Sequence, residues 1–305
     1  MEVDPRLLLY LKAVNDHGTL TSAAHATGIS QPALTNKIKL LERQLGTDLV
    51  DRGRHGAKLN HFGKLVLRHA KMIGASLNSA TEELLLAKSG KHGPLVIGAT
   101  PMSTVELVPK ALNLLDIPEK QAQISLIEAD DDILLDKLKS GEIDLMLGGM
   151  ATGRNQMNIQ EEYLAEFPLM AVVGRANPIW SYDQIALKDI LDHAWAIPSA
   201  GSVIRSYVDA IFVGAQQEMP TSYWTCTSMH SLKTIVRHTK RITVMPRHAF
   251  TLEEDLGVLK GIRLIGPTSS RRMKILRLKH ALLSPIAQDF IKNLHAISRS
   301  ISKRA

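Results

Sequence analysis

The sequence predicts an all-α N-terminal unit with a small β wing, one long linker helix, and a C-terminal α/β domain. Three observations predict it. Short amphipathic helical patterns separated by glycines fill the chain up to Gly46. An uninterrupted heptad pattern then runs over residues 61–88. After a glycine- and proline-marked break at residues 89–94, short apolar runs alternate with amphipathic stretches to the end of the chain.

The first helix is expected over residues 5–15, with Leu7, Leu8, Leu11 and Val14 inward. Pro5 suits a first helical turn, and Gly18 ends the element. The next segment, residues 19–42, is the most informative in the chain. Thr19 is placed to cap a thin helix containing Ala23, Ala24 and Ala26, and Gly28 supplies a turn. Ser30 is placed to cap a further helix, with Pro32 in its first turn, where a missing N–H costs nothing. Leu34, Ile38 and Leu41 then share one face, leaving Gln31, Thr35, Asn36, Lys37 and Lys39 for the others. Small residues before the turn let two helices cross closely, as a helix-turn-helix requires. A polar, basic N-terminal half is what a recognition helix needs in the major groove of DNA. The structural alternative is an ordinary pair of amphipathic helices around a glycine turn.

Residues 51–58 are charged, punctuated by glycine and flanked by Leu49 and Leu59. They read as a two-stranded wing whose Arg52, Arg54, His55 and Lys58 can lie along phosphates, or as a solvated loop. In residues 61–88, Val66, Ala70, Ile73, Leu77, Ala80, Leu84 and Ala87 alternate in steps of four and three. That seam suits two helices pairing along their length. A dimer would carry two recognition helices about a two-fold axis and so read an inverted repeat.

Beyond the break, strands are expected at 95–99, 124–128, 143–148, 167–173, 194–198, 223–227, 242–245 and 272–278. Helices are expected at 105–115, 133–139, 203–215 and 285–301, and the strands should be mostly parallel. Hydroxyl-rich loops at 100–104, 199–203 and 225–228 each follow a strand. In such a sheet ligands bind beyond the carboxyl ends of strands, so these loops suit a small carboxylate or other polar metabolite. Alternatively their Ser and Thr only cap the helices that follow.

Composition narrows the function classes. The 305 residues carry a net charge of +7, and most of the excess lies early: residues 1–92 hold 13 Lys and Arg against 8 Asp and Glu, the remainder 24 against 22. The single cysteine, Cys226, excludes an intramolecular disulfide and a cysteine cluster for zinc. Following Trp224 in an apolar-looking strand, it reads as a buried, inert thiol. Asp130, Asp131 and Asp132 read as the start of a helix rather than a metal site. There is no phosphate-binding glycine loop, no Gly-x-Ser-x-Gly elbow and no histidine metal motif. No apolar run is long enough to span a membrane, and the first residues lack a signal-peptide pattern, so a cytoplasmic location is expected.

The letters themselves carry a resemblance. Gly18-Thr-Leu-Thr-x-Ala-Ala, Ile29-Ser-Gln-Pro-Ala-Leu-Thr and Ile38-x-x-Leu-Glu-x-x-Leu-Gly46, followed by Leu49-x-x-Arg52, Leu59 and Gly63, closely resemble the N-terminal domain of LysR-type transcriptional regulators. Two departures stand in the wing, where Leu49-Val50 replaces the usual Leu-Phe and Leu59-Asn60 the usual Leu-Thr. The resemblance implies a winged helix-turn-helix over residues 1–60, a linker and dimerisation helix over 61–92, and a two-lobed, periplasmic-binding-protein-like effector domain over 93–305. Lobe I would take residues 93–162 and 266–305, and lobe II residues 163–265. It further implies DNA contacts from Thr19, Thr21, Ser30, Gln31, Pro32, Thr35, Lys37, Arg52 and Arg54, and effector contacts from Thr100, Ser103, Ser199, Ser202 and Thr227. The implied partners are double-stranded DNA, a small anionic or polar effector, further copies of the chain as dimer and tetramer, and RNA polymerase. No cofactor and no catalysis are implied. An enzyme on the α/β region would need a nucleophile–base pair or metal site that the sequence does not assemble. A transporter's solute-binding protein fits poorly with the N-terminal extension.

Overall fold

The computed structural model describes residues 3–53, 56–89, 92–116, 122–149, 158–200, 202–266 and 270–302. They divide into two units, one built on the chain through Pro94 and one on the chain from Leu95, with the segment Asp136–Ile143 grouped with the first.

In the first unit, α1 (Pro5–His17) starts where Asp4 accepts the Arg6 N–H at 2.9 Å. Then come α2 (Leu20–Ala26) and α3 (Gln31–Leu45). Gly28, at φ +69°, turns the chain between them through a conformation that side chains rarely adopt. Leu7, Leu11, Val14, Leu34, Ile38 and Leu41 close one core with Ala23 and Ala24, whose small side chains let α2 cross closely. The wing is an antiparallel pair, β1 (Val50–Gly53) and β2 (Gly56–Leu59), in register Val50 to Leu59. Val50 keeps the core apolar at 6% exposure. The buried Glu42 accepts the Leu49 and Val50 N–H groups through Oε1 at 3.0 and 3.3 Å, which ties the wing to α3.

The long helix α4 (His61–Lys88) begins at Asn60, whose side chain accepts the Gly63 N–H at 2.9 Å and donates to the Asp48 carbonyl at 2.8 Å. Only glycine fits at 63, because a Cβ there would lie 2.2 Å from the Leu49 carbonyl oxygen. The first half of α4 packs beside α1. Past Ser76 nearly every residue faces outward, including Leu77 and Leu84 of the heptad seam at 54% and 56% exposure.

The chain passes into the second unit along β3 (His92–Ala99), which takes in the last three residues of the expected break. The helix expected at 105–115 is instead α5 (Pro101–Val105) and α6 (Leu107–Asn113), parted at Glu106. Pro109 accounts for the split: restarting at Leu107 puts it in a first turn, where it removes no helical hydrogen bond. There follow β4 (Ala122–Glu128), α7 (Asp131–Ser140), β5 (Leu145–Gly148), β6 (Ile159–Gly174), β7 (Gln184–Ala186) and β8 (Trp195–Pro198). The chain continues through α8 (Val203–Gly214), β9 (Tyr223–Cys226), α9 (Met229–His238), β10 (Ile242–Pro246) and α10 (Thr251–Asp255). It closes with β11 (Leu259–Ile265), β12 (Ser270–Leu278) and α11 (Pro285–Ser302).

Among the described strand pairs of the second unit, four are parallel and four antiparallel, where mostly parallel strands were expected. The order is β4-β3-β5-β12-β6-β10-β8-β9, with β11 and β7 branching from β6. Strand β3 pairs parallel with β5, β10 with β8, and β8 with β9, each across a connection that contains helix; β11 also pairs parallel with the distant β7. Strands β6 and β12 carry the chain out to a second lobe and back, so they pair antiparallel with each other and with their other described partners. From Ile159 to Pro168, β6 pairs with β12; from Leu169 onward it pairs with β10 and β11. The lobes therefore change at Pro168–Leu169, beyond the expected crossing at Glu162. Lobe II closes around Trp195, Ile197, Phe212 and Val244. Among the described residues no helix is long and apolar enough to cross a membrane.

Candidate nucleic-acid interface and ligand cavity

The helix-turn-helix presents its polar residues as the spacing predicts. Thr19 Oγ1 accepts the Ser22 N–H at 3.1 Å to cap α2, and Thr21 lies exposed in that helix's first turn. Ser30 Oγ accepts the Ala33 N–H at 3.3 Å to cap α3. Gln31, Pro32, Asn36 and Lys37 are exposed and Thr35 is half-buried. Gln31 Nε2 donates to Thr35 Oγ1 at 3.3 Å, and Thr35 Oγ1 donates to the Gln31 carbonyl at 3.0 Å, so the two side chains form one polar surface on the first turns. Arg52 belongs to β1, while Arg54 and His55 fall outside the described residues.

In the second unit, β8 and β9 run parallel with Pro198 opposite Cys226, so their following loops lie side by side. The Ser199 N–H donates to the Cys226 carbonyl at 3.2 Å and fixes that approach. These loops and the first turns of α8 and α9 wall a cavity of 330 Å³. Ser199, Ser202, Thr227 and Ser228 supply hydroxyls to the lining; Pro101 and Asp130, from lobe I, form the opposite side. Ser202 Oγ accepts the Arg205 N–H at 3.2 Å, and Ser228 Oγ accepts the Ser231 N–H at 3.3 Å. Each cap therefore serves the third residue of its helix, leaving the first two N–H groups without intrahelical acceptors.

The structure divides the expected ligand set. Ser199, Ser202 and Thr227 line the cavity, whereas Thr100 and Ser103 do not. Both are buried, with their hydroxyls 3.0 Å apart, and Ser103 Oγ donates to the Met273 sulfur at 3.3 Å. Ser228 and Asp130 were not among the expected contacts; Ser228 is legible as the last hydroxyl of its loop, and Asp130 as the residue before α7. Cys226 is half-buried rather than enclosed, and it lines the cavity. The reason is that β9 is an edge strand, which leaves Trp224 half-exposed as well. Asp131 and Asp132 occupy the first turn of α7, as expected. Asp131 Oδ1 accepts the Gly149 N–H at 3.1 Å, and among the described residues no cluster of ligating side chains can hold a metal.

Cations near the cavity are engaged. Arg205, on the first turn of α8, bonds Asp209 at 2.6 Å and lies over the Tyr223 ring. Its hydrogen bond to Asp209 holds the guanidinium above its ordinary pKa. Lys233 on α9 pairs with Glu253 at 2.6 Å.

Two family models match this chain. The bacterial regulatory helix-turn-helix protein, lysR family, matches residues 5–64, and the LysR substrate binding domain matches residues 88–298. The chain belongs to the LysR family. It is therefore a DNA-binding transcriptional regulator with an effector-binding domain, in a family of regulators rather than enzymes. Among its relatives is the HTH-type transcriptional regulator GbpR of Azospirillum brasilense, 26% identical over 301 residues that cover 98% of this chain and 88% of GbpR. ArgP from Mycobacterium tuberculosis shares the LysR fold at a TM-score of 0.72 and 18% identity, over 98% of each chain. Full-length CbnR, solved in complex with its target DNA, does so at 0.64 and 18% identity, over 96% of this chain and 99% of that one.

Proposed function

We propose that this LysR-family regulator reads DNA as a dimer through α3 and the wing, and that the cavity between β8, β9 and Asp130 receives a small polar metabolite that sets its activity. The observation that carries the reading is the division of α3. Leu34, Ile38 and Leu41 are buried, while Gln31, Pro32 and Lys37 stand exposed beside the half-buried Thr35 on its leading turns. In the major groove, Gln31, Pro32 and Thr35 face base edges, with Thr19, Thr21 and Ser30 at the backbone. Lys37, Arg52 and Arg54 engage phosphates or bases.

The exposed Leu77 and Leu84 on α4 support pairing with a second copy, since a heptad seam in water gains by burial. The helix-turn-helix with its wing, the linker helix and the two-lobed domain then act as reader, coupler and sensor in the cytoplasm. Assembly of dimers into a tetramer, with polymerase contact, would carry the output. The ligand acts by binding one assembly more tightly than another.

Footprinting the purified protein on genomic DNA fragments, including the region upstream of its own gene, tests the reading. Protection of an interrupted inverted repeat spanning more than one helical turn is expected. Protection of a single unrepeated half-site would overturn the dimeric mode.

A further inference from the structure

The cavity's chemistry specifies its ligand further, on the reading above that this cavity is the effector site. We infer that the effector is a small zwitterion of the α-amino acid type. Asp130 receives the ammonium group, and the loops around Ser202 and Ser228 receive the carboxylate.

At 330 Å³ the cavity lies at the low end of the ~300–1,000 Å³ typical of small-ligand sites, which suits a molecule of amino-acid size. Among the described lining residues Asp130 is the one charged side chain. Its carboxylate would repel a purely anionic ligand, and the cations of α8 and α9 nearest in sequence are bound to Asp209 and Glu253. A ligand ammonium supplies the missing positive charge, with donors that match a carboxylate acceptor. The opposite wall is rich in donors. Ser199 and Thr227 line it together with Ile204 and Met229, from the first turns of α8 and α9, where leading backbone N–H groups without intrahelical acceptors suit a carboxylate. Asp130 belongs to lobe I and the hydroxyl loops to lobe II. A zwitterion thus bridges the lobes, whereas a simple carboxylate grips only one.

The test uses the full chain and Cys226 as the reporter, because that thiol lines the cavity and is the only cysteine. The common L-α-amino acids are assayed singly, each beside the 2-hydroxy acid in which a hydroxyl replaces the ammonium. Alkylation of Cys226 by iodoacetamide and the melting temperature are read together. At least one amino acid is expected to slow alkylation and raise Tm saturably, with its 2-hydroxy acid binding at least about tenfold more weakly. Asp130→Asn, at an exposed position where the amide keeps the side-chain shape, is expected to erase that preference. Hydroxy acids that protect Cys226 as well as their amino acids, or a preference that survives Asp130→Asn, would overturn the zwitterion while leaving the cavity as effector site. Protection by no amino acid would also overturn it. An amino acid that raises Tm in wild type and Asp130→Asn alike, with Cys226 unprotected, would overturn the cavity itself.

Discussion

The leading turns of α3 and the mouths of α8 and α9 are built from the same local chemistry, a serine that caps its helix by accepting an N–H three residues on. Ser30, Ser202 and Ser228 make that bond at 3.3, 3.2 and 3.3 Å. At α3 the freed surface is exposed and carries Gln31 and Lys37, a shape suited to a groove in another molecule. At α8 and α9 two such turns converge with Asp130 on a cavity. A cap alone thus says little about binding; what distinguishes the proposed reading surface from the proposed ligand site is whether the turns stand open or meet on a cavity.

Five substitutions test that contrast, and because the chain has two units its unfolding need not be one transition. Leu34→Ala removes a fully buried side chain beneath the α3 reading surface. It is expected to destabilise the first unit by about 3 kcal/mol in urea unfolding, leaving Cys226 alkylation unchanged. Leu84→Glu places charge on the α4 seam. In sedimentation it should yield monomer, with affinity for an inverted repeat falling at least ~100-fold through lost bivalency. If the variant stays dimeric, the seam is not the interface. Lys37→Ala should weaken operator binding about tenfold and reduce the salt slope by about one. An unchanged slope would assign Lys37 to a base instead. Ser228→Ala is expected to cost about 1 kcal/mol in the second unit and to leave DNA affinity in the absence of effector as it was.

The smallest effect concerns Asp144, whose Oδ2 accepts the Val96 N–H at 2.8 Å. Burial raises its carboxyl above the ordinary 3.8, against the opposing pull of that hydrogen bond. The folded state therefore holds this proton more tightly than the unfolded chain. Stability from this group is greatest at low pH and is lost as pH rises from the unfolded value through the raised folded one. Asp144→Asn, which keeps an oxygen for Val96, should remove that loss. The variant's advantage in urea midpoint should grow across this window and then level off; an advantage that shrinks with pH would contradict the assignment.

The first unit was legible nearly residue by residue, because a short amphipathic helix declares its cap, its turn glycine and its buried stripe within a few positions. Asn60, although a departure from the family pattern, caps α4 as its chemistry suggests. The second unit was legible in its alternation but not its topology. Strand β6 was expected only over 167–173, whereas it starts at Ile159 and carries Glu161, Glu162 and Glu166. Those carboxylates are met by Lys274, His295 and Arg272 at 2.6, 2.5 and 3.5 Å, so charge there marks pairing rather than the end of a strand. Strand β11 was missed because Gly261 interrupts its alternation, where a Cβ would meet the Phe250 ring at 2.6 Å. Helix α9 had a readable signal, Ser228 followed by Met229, Leu232 and Val236 at helical spacing, but its polar content masked it. The cavity could not be read beyond its hydroxyl loops, because Asp130 reaches it only through the fold.

Strand β6 is shared: its first ten residues are a rung of one lobe's sheet and the remainder a rung of the other's. A strand held by hydrogen bonds on both sides of the crossing is a torsion bar rather than a joint. Motion of one lobe about it must twist the backbone near Pro168 and strain the neighbouring ladder. Two further ties span the lobes, from Tyr207 Oη to the Gly149 carbonyl at 3.2 Å and from Thr251 Oγ1 to Glu106 at 2.9 Å. The two lobes are thus tied by one continuous strand and by two side-chain hydrogen bonds, so any change in their relative pitch must be taken up by the backbone at the crossing.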